Sequence, residues 1–194
     1  MQKAIRDAKV ALRDRVRVEL KRMAPVERTA ASAQARALLA AQARWQAARS
    51  VLFYAPMPEE LDVWPLLHEA LSVGKKVSLP RFVAETRGYE ACQILDPEMD
   101  LQVGQFGIRE PVSRCARHRW SRVDLILVPG VAFDLQCHRL GRGRGYYDQI
   151  LRVLCGTTCG VAFDQQIAGE VPVESHDVRL DYVLTPTRWI EQKP

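Results

Sequence analysis

The sequence predicts an α/β fold: a single three-layer domain with a mostly parallel sheet between helices, preceded by two N-terminal helices. Helical spacing of apolar residues dominates the first 48 residues. Short apolar runs then alternate with helical runs, which is typical of parallel strands joined by crossover helices. The chain shows neither a linker nor an internal repeat, so residues 1–194 are expected to form one domain.

The two N-terminal helices are predicted from three- and four-residue spacing. The first has a narrow apolar stripe made of Ile5, Ala8, Leu12, Val16, Leu20 and Met23. Pro25 suits the first position of the second helix, and Glu27 is placed for a capping box. The cap residue is Ala24, which costs about 1 kcal/mol relative to Ser or Asp. The buried face of the second helix is expected to contain Val26, Ala30, Ala33, Ala37, Ala41, Trp45 and Ala48.

The later elements are predicted from short apolar runs and their end signals. Helices are expected at 64–73, closed by Gly74, and at 146–154. Strands are expected at 51–55, 77–79, 89–95, 124–128, 160–163 and 182–184. Of these, 89–95 is predicted to be an edge strand and 182–184 the last strand of the sheet.

Composition and charge exclude several classes of protein. No apolar run approaches the roughly 18 residues of a membrane span, and the basic, polar N-terminus does not resemble a signal peptide. The five cysteines lack zinc-site spacing, so we expect reduced thiols and a cytoplasmic location. Residues 1–22 contain eight Lys or Arg and three acids, which accounts for the whole net charge of +5. This segment therefore predicts either an anionic partner or a solvated helix face.

A glycine-rich stretch at 138–148, HRLGRGRGYYD, is the most informative part of the chain. Alternating glycines let backbone N–H groups approach an anion closely, and arginines supply forked donors for phosphate oxygens. Asp148 is placed to hold a Mg²⁺ ion bound to the same phosphates. The spacing matches neither a Walker A motif nor GxGxxG. From these residues alone, a phosphate site and a basic, nucleic-acid-binding turn both remain open.

Two segments taken together, VPGVAFD (128–134) and RLGRGRGYYD (139–148), closely resemble the 5-formyltetrahydrofolate cyclo-ligase family, also called methenyltetrahydrofolate synthetase. The resemblance extends over essentially the whole chain, through Lys9, Leu12 and Arg13 and the segments 60–62, 79–81, 107–111 and 171–184. Two positions depart from the family pattern. Val63 stands where a threonine is common, and Cys137 stands where the family usually has glycine. We expect Cys137 to be an ordinary loop thiol.

The resemblance implies a ligase of one-carbon folate metabolism that forms a C–N bond. In this family, ATP and Mg²⁺ are used to phosphorylate the formyl oxygen of 5-formyltetrahydrofolate. The neighbouring amine nitrogen then attacks, which yields 5,10-methenyltetrahydrofolate, ADP and phosphate. The resemblance further implies a cytoplasmic monomer that accepts the folate, including polyglutamylated forms, and has neither a nucleic-acid nor a membrane partner.

The resemblance also assigns residues to the site. It implies that Lys9, Arg142 and Arg144 are catalytic, and that Asp148 and Asp177 bind the metal. The implied ATP-binding residues are Lys9, Arg13, Arg139, Leu140, Gly141, Arg142, Gly143, Arg144, Gly145, Tyr146 and Tyr147. The implied folate-binding residues are Ala55, Glu60, Arg142, Gly143, Arg144, Gly145 and Tyr146. Loss of one phosphate-binding cation is expected to raise the barrier by about 2–4 kcal/mol.

Three alternatives stay open at the level of sequence. A nucleic-acid-binding protein would use the basic first helix and the Arg-Gly loop, and its binding would depend steeply on salt. A non-catalytic nucleotide-binding relative would keep the fold and lose the activity. An isomerase or acyl-transfer enzyme would need an acid/base pair or a nucleophile, and the sequence offers no clear triad. Cys115 and His118 have metal-like spacing, but no second pair completes a site.

Overall fold

The computed structural model describes residues 2–85, 88–104, 107–118, 123–143, 145–153, 155–175 and 177–192, with the backbone alone for Gln2 and Tyr146. The described helices are α1 Gln2–Arg22, α2 Pro25–Ala40, α3 Ala43–Ala47, α4 Trp64–Ser72 and α5 Tyr146–Val153. The described strands are β1 Ser50–Leu52, β2 Lys76–Val83, β3 Gly88–Ile94, β4 Leu101–Val103, β5 Arg109–Pro111, β6 Arg117–His118, β7 Leu125–Pro129, β8 Ala132–Phe133, β9 Arg139–Leu140, β10 Thr157–Val161, β11 Tyr182–Leu184 and β12 Trp189–Glu191.

Eight of the described strands form the central sheet, in the order β12-β11-β10-β7-β1-β2-β3-β6. Its five inner strands, from β11 to β2, are parallel, and Val51 of β1 pairs with Val77 on one side and Leu125 on the other. Antiparallel strands flank these five, with β12 beside β11 on one side and β3, followed by β6, beside β2 on the other. The prediction of a mostly parallel α/β sheet is confirmed.

Apolar residues of the inner strands alternate between two cores, one on each face of the sheet. Val51 and Leu125 belong to a core that also contains residues of α1, α2 and α4, whereas Leu52 and Ile126 pack in a second core with Leu151 of α5. The crossover after β1 therefore runs on one face and the crossover after β7 on the other. Such a reversal opens a crevice at the carboxyl ends of the two strands, where ligands of α/β proteins bind.

The first helix agrees with the predicted apolar stripe in part, and the start of the second agrees with its pattern. Leu12, Val16 and Leu20 are buried along α1, whereas Ile5 and Met23 are half-buried and Ala8 is exposed. Pro25 begins α2, and the Ala24 backbone N–H donates to Glu27 Oε2 at 2.8 Å, which is the carboxylate half of a capping box. None of the described helices has the length and apolar character needed to span a membrane.

The predicted buried face of α2 is wrong. Val26 is 75% exposed, the alanines at positions 30, 33, 37 and 41 are exposed, and the buried residues are Ser32, Ala35 and Leu39. Because this segment is rich in alanine on all sides, its apolar spacing does not define a direction, and Leu39 decides which face packs. The helix also ends at Ala40. Trp45 lies in the separate helix α3 and Ala48 caps its C-terminus, and both are buried as predicted.

Several strand predictions also need correction. The run at 51–55 is a strand only over Ser50–Leu52, and the strand predicted at 160–163 is β10, Thr157–Val161. β3 is not an edge strand because β6 pairs with it, and β11 is not the last strand because β12 follows. The hairpins β4–β5 and β8–β9 were not predicted. Strands of two or three residues are defined by their tertiary partners, so sequence periodicity does not reveal them.

Candidate active site

A mostly apolar cavity of about 320 Å³ opens at the carboxyl ends of β1 and β7. Tyr54 and Ala55 follow β1, and Pro129 and Gly130 end β7. The remaining wall includes Phe82 and Tyr89 of the β2–β3 hairpin, Glu110 of β5 and Tyr147 of α5. We call this the apolar cavity. Its position is the crevice that the strand order predicts.

A second cavity, of about 770 Å³, lies between α1 and the glycine-rich segment. We call it the basic cavity because α1 lines it with Lys3, Arg6, Lys9 and Arg13; the acids Asp148, Glu174 and Asp177 also line it. Among the described residues, the two cavities have four lining residues in common, which are Arg139, Gly141, Gly145 and Asp148. This shared wall places a polar, charged site directly beside an apolar one.

Two glycines allow the loop of the shared wall to take its shape. Gly143 has φ +96° and Gly145 has φ +69°, in the left-handed region that side chains rarely adopt. The loop is tied to α1, because Arg13 Nε donates to the Gly141 carbonyl at 2.8 Å. Burial, followed by the neighbouring charge of Arg17, lowers the pKa of Arg13 from its ordinary value. An arginine nevertheless stays charged at neutral pH.

Lys9 is held between two carboxylates. Its Nζ lies 2.7 Å from Glu174 Oε2 and 2.6 Å from Asp177 Oδ2, and only 11% of its side chain is exposed. Asp177 also accepts the Glu174 backbone N–H at 2.8 Å, so the two acids are fixed relative to each other. Burial opposes the charge of Lys9, but the hydrogen bonds to Asp177 and Glu174 outweigh it and raise the pKa of Lys9.

Arg139 occupies the centre of the shared wall with 3% of its side chain exposed. Its Nη2 donates to Asp148 Oδ1 at 2.6 Å, and its Nη1 donates to the Pro129 carbonyl at 3.2 Å. The guanidinium also lies 5.7 Å from the centre of the Tyr147 ring. The Arg139 Nε is buried without a hydrogen-bond partner. The Arg139 guanidinium is therefore a fixed positive charge between the two cavities, and it holds Asp148, a candidate metal ligand, beside it.

Arg142 joins the glycine-rich loop to the loop after β1. Its Nη2 donates to Glu59 Oε1 at 3.0 Å and to Glu60 Oε1 at 2.9 Å. The other oxygen of Glu60 accepts the Met57 backbone N–H at 3.0 Å. Burial opposes the charge of Arg142, but Glu60 and Glu59 raise its pKa above the ordinary value. This contact lies at the apolar cavity, which both Glu60 and Arg142 line.

With this geometry established, comparison with known proteins identifies the family. The model of the 5-formyltetrahydrofolate cyclo-ligase family matches residues 5–186. The chain belongs to this family. Its members are ATP-dependent ligases.

Relatives of the cyclo-ligase family agree over most of the chain. The 5-formyltetrahydrofolate cyclo-ligase of Mycolicibacterium smegmatis is 36% identical over 152 residues, which cover 73% of this chain and 76% of the relative. The 5-formyltetrahydrofolate cyclo-ligase of Mus musculus is 26% identical over 191 residues, which cover 93% of this chain and 94% of the relative.

Solved structures also agree with the fold. The NMR structure of Aquifex aeolicus 5,10-methenyltetrahydrofolate synthetase has a TM-score of 0.86 at 33% identity, covering 96% of this chain and 93% of that one. The Mycoplasma pneumoniae 5,10-methenyltetrahydrofolate synthetase has a TM-score of 0.73 at 20% identity, covering 92% and 98%, and supports the fold alone.

The structure brings most residues implied by the family resemblance to the two cavities. The basic cavity is lined by Lys9, Arg13, Arg139, Leu140, Gly141, Gly143, Gly145, Asp148 and Asp177. The apolar cavity is lined by Ala55, Glu60, Arg139, Gly141, Arg142, Gly145, Tyr147 and Asp148. Gly143 lines only the basic cavity and Arg142 only the apolar one. Arg144 and the side chain of Tyr146 lie outside the described residues, so their assigned roles stay predictions.

Sequence reasoning missed several residues of the cyclo-ligase site. Lys3 and Arg6 lie on the same face of α1 as Lys9 and Arg13, and helical spacing could have found them. Glu174 lies three residues before Asp177 and was not singled out. Phe82 and Tyr89 enter through the β2–β3 hairpin, whose placement has no sequence signal. Glu110 enters through β5, and the family motif at 107–111 could have pointed to it.

Asp148 and Asp177 both line the basic cavity, as the metal prediction requires. Among the residues the structure describes, no three His, Cys, Asp or Glu side chains form a cluster that could hold a metal by themselves. Mg²⁺ is commonly bound by one or two carboxylates, with phosphate and water as the other ligands. The residues present therefore fit an ion that arrives with a nucleotide.

Two signature residues next to the glycine-rich loop have structural roles. Asp134 is fully buried, and its carboxylate accepts the backbone N–H groups of Gln136, His138 and Val171 at 2.9–3.0 Å. Cys137 has φ +64°, in the left-handed region where a glycine is unstrained, which accounts for the glycine usual in the family. It is buried, and burial raises the pKa of its thiol to about 11, which is the behaviour of an ordinary, unreactive thiol.

Cys115 and His118 do not form a metal site with each other. The Cys115 Sγ contacts the Asp100 carbonyl at 3.4 Å, whereas His118 Nδ1 contacts the Ser78 hydroxyl at 2.7 Å. Cys115 and His118 therefore contact different groups, the Asp100 carbonyl and the Ser78 hydroxyl, and these contacts are structural.

Proposed function

We propose that this chain is an ATP- and Mg²⁺-dependent ligase that converts 5-formyltetrahydrofolate to 5,10-methenyltetrahydrofolate, with ADP and phosphate as the other products. The observation that carries the proposal is the shared wall formed by Arg139, Gly141, Gly145 and Asp148 between a basic and an apolar cavity. Phosphoryl transfer depends mainly on alignment of two reactants and on stabilisation of charge. Two adjoining cavities with one charged wall supply both.

The apolar cavity fits the folate. Its aromatic residues Tyr54, Phe82, Tyr89 and Tyr147 suit a flat bicyclic ring, and Glu60 and Arg142 add polar contacts. Burial raises the pKa of Tyr54 and Tyr147, so both phenols are neutral at physiological pH. We infer that this wall excludes water from the formyl group, because water would compete with the folate amine for the activated carbon.

The basic cavity fits the nucleotide. Lys9 and Arg13 lie one turn apart on α1 and face the glycine loop, and Lys3 and Arg6 continue the positive surface. When bound, ATP would supply the phosphoryl group that makes the formyl oxygen a leaving group, and Mg²⁺, held by Asp148 and Asp177, would offset phosphate charge. Arg139 would hold Asp148 in place from within the shared wall. Arg144 is assigned to the transition-state charge by the family resemblance.

Lys9 and Arg142 are each paired with carboxylates, so a phosphate group that binds can replace a carboxylate as the partner of the cation. Lys9 touches two carboxylates in this structure, and so does Arg142. A phosphate that approaches Lys9 would take the place of a carboxylate contact, and Asp177 would then be available to the metal. The charge of Lys9 is thereby kept in position before the nucleotide binds, and preorganised charge is the main source of electrostatic catalysis.

Three further parts of the proposal rest on the sequence and the family. Residues 1–194 are proposed to act as one domain, the enzyme is proposed to be a monomer, and its location is proposed to be the cytoplasm. The substrate is proposed to include polyglutamylated folates. No nucleic-acid partner is proposed.

The test is a continuous assay of the near-ultraviolet absorbance of the methenyl product. Purified protein with 5-formyltetrahydrofolate and Mg²⁺ is compared with and without ATP, and with EDTA. We expect a rise that requires both ATP and Mg²⁺ and that Arg144→Ala abolishes. Arg15→Ala, an exposed residue of α1 that lines neither cavity, is the matched control and should keep the rate. No rise with folded wild-type protein would overturn the proposed function.

A further inference from the structure

We propose that Glu110 is a specificity-determining residue that binds the aminopyrimidine edge of the folate ring. This inference rests on the proposed function and adds a second carboxylate to the folate site, beyond the Glu60 contact that the family resemblance implies. It is carried by three observations: the pairing of the acids in the apolar cavity, the glycine that makes room for Glu110, and the place of Glu110 on a part of the cavity lining outside the shared wall.

Three carboxylates line the apolar cavity, and two of them are already engaged. Glu60 contacts Arg142 and the Met57 N–H, and Asp148 contacts Arg139. Within the part of the chain that the structure describes, the side chain of Glu110 makes no hydrogen bond or ion pair. A partly buried carboxylate without a partner is unfavourable unless a ligand supplies donors. Glu110 is therefore the acid of this cavity that is available to the substrate.

Gly104 makes room for this carboxylate. A Cβ atom placed on Gly104 would lie 2.1 Å from Glu110 Cδ and 2.4 Å from its Oε1. No other residue type fits there without moving the Glu110 side chain. The strands β4 and β5 pair antiparallel, with Gln102 opposite Glu110, so the carboxylate reaches diagonally across the hairpin to the glycine. The position of the acid is thus set by a second residue.

Glu110 belongs to a different part of the cavity lining from the shared wall. It lines the apolar cavity and not the shared wall, and β5 packs against β2 and β3, whereas the shared wall follows β7. A phosphoryl group delivered at the shared wall leaves one end of the folate near Glu110. The two ends of the substrate are the aminopyrimidine ring and the glutamate tail.

Charge selects between these two ends. The glutamate tail is anionic and would be repelled by Glu110. The neighbouring Arg109 also lines the cavity, but it forms no ion pair with Glu110 among the described contacts: its guanidinium lies 5.0 Å from the centre of the Trp64 ring, and its Nη2 donates to the Pro97 carbonyl at 2.9 Å. The aminopyrimidine edge instead presents two adjacent N–H donors. A carboxylate accepts such a pair with both oxygens, in the manner of a bidentate arginine contact.

The first test is steady-state kinetics of Glu110→Gln and Glu110→Ala. Hydrogen bonds to a charged group predict a KM for 5-formyltetrahydrofolate raised about 10- to 100-fold in the alanine variant and less in the glutamine variant, which keeps one acceptor. The KM for ATP should not change. Glu69→Gln, on the exposed face of α4, is the matched control. An unchanged or lowered folate KM in both variants would overturn the proposal.

The second test uses Gly104 in a double-mutant cycle. Gly104→Ala should raise the folate KM because its methyl group displaces the Glu110 carboxylate. In a Glu110→Ala background the clashing atoms are gone, so adding Gly104→Ala should have no further effect. Additive effects of the two substitutions would show that Gly104 acts independently of Glu110, and the proposal would fail. Thermal melts of all four proteins establish that each is folded.

A third test separates this inference from the proposed function. Competitive inhibition by 6,7-dimethylpterin is compared with 6,7-dimethyllumazine, in which a carbonyl replaces the amino group. Wild-type enzyme should prefer the pterin, and Glu110→Gln should lose that preference. Product formation by wild-type protein with no pterin preference would leave the proposed function intact and reject the role of Glu110. No product formation at all would instead reject the proposed function.

Discussion

The two cavities on either side of the shared wall are built from different kinds of contact. In the basic cavity, Lys9 is fixed by two ion pairs at 2.6 and 2.7 Å, and Arg13 by a carbonyl on the glycine loop. In the apolar cavity, the shape comes from packed rings, such as Phe82 and Tyr89, whose centres lie 5.4 Å apart. The first is organised by charge and the second by packing.

This difference indicates how one loop can serve two ligands. Ion pairs hold charged groups in place and can be exchanged for contacts with phosphate, whereas packed rings offer a fixed surface to a flat ligand. A substitution in one cavity should therefore affect one ligand and leave the other unchanged. The following predictions test that separation, from the largest expected effect to the smallest.

Lys9→Met should give the largest effect. Removal of the cation takes one ion pair from each of Glu174 and Asp177 and removes a phosphate contact, so kcat/KM should fall about 10²- to 10³-fold. The KM for 5-formyltetrahydrofolate should change little. Steady-state kinetics with each substrate varied in turn measure both. Lys21→Met, on the same helix and exposed, is the control; a loss confined to the folate KM would contradict the separation of the cavities.

Phe82→Ala should affect the other ligand. Loss of one aromatic face should raise the KM for 5-formyltetrahydrofolate by up to about tenfold, which corresponds to the upper range for a ring contact. The KM for ATP should stay the same. Val83→Ala, the next residue of β2 and not part of the cavity wall, is the matched control. Equal changes in both KM values would show that the cavities are coupled.

The free energy of unfolding should fall at alkaline pH, and the fall should begin at different pH values for Tyr147 of the apolar cavity and Lys9 of the basic cavity. Burial raises the pKa of Tyr147 above its ordinary 10.0, so the unfolded chain loses this proton first and stability falls as pH rises above about 10. The carboxylates of Asp177 and Glu174 outweigh burial and raise the pKa of Lys9 above its ordinary 10.5. The ion pairs of Lys9 therefore stabilise the fold fully below pH 10.5, and this stabilisation is lost as the pH rises through the pKa of the folded state.

Urea titrations at a series of alkaline pH values measure this loss. Tyr147→Phe should flatten the curve from about pH 10, and Lys9→Met should flatten only its higher part, above about pH 10.5. Identical curves for wild type and Tyr147→Phe would show that the phenol does not contribute.

Cys137→Gly should give the smallest effect, because Cys137 lines neither cavity. Relief of the left-handed conformation is worth about 1–2 kcal/mol, and loss of the buried thiol offsets most of it. We expect the free energy of unfolding to change by less than about 1 kcal/mol and both KM values to stay the same. Cys137→Val, with a branched side chain at φ +64°, should be clearly less stable; equal stability of both variants would refute the strain argument.

Much of this protein could be predicted from the sequence. Each family motif, like the strand at 125–129, consists of residues that are adjacent in the chain, so each can be recognised as a local sequence pattern. The α/β class followed from alternation of strands and helices, and most of the residues that line the basic cavity followed from Lys9, Arg13 and the glycine-rich segment. These features depend on neighbours within a few positions, where periodicity and backbone preference act directly.

Other features were decided by the tertiary structure. The buried face of α2 depends on which side meets the sheet, because alanine spacing alone leaves the direction open. Glu110 reaches the apolar cavity because β5 packs on β2 and β3, and Glu174 meets Lys9 across 165 positions of the chain. The sequence by itself determined the family, the mostly parallel α/β class and the loop that divides the site. The pairing of charges and the lining of the apolar cavity required the fold, because contacts between distant segments leave no periodic trace in the chain.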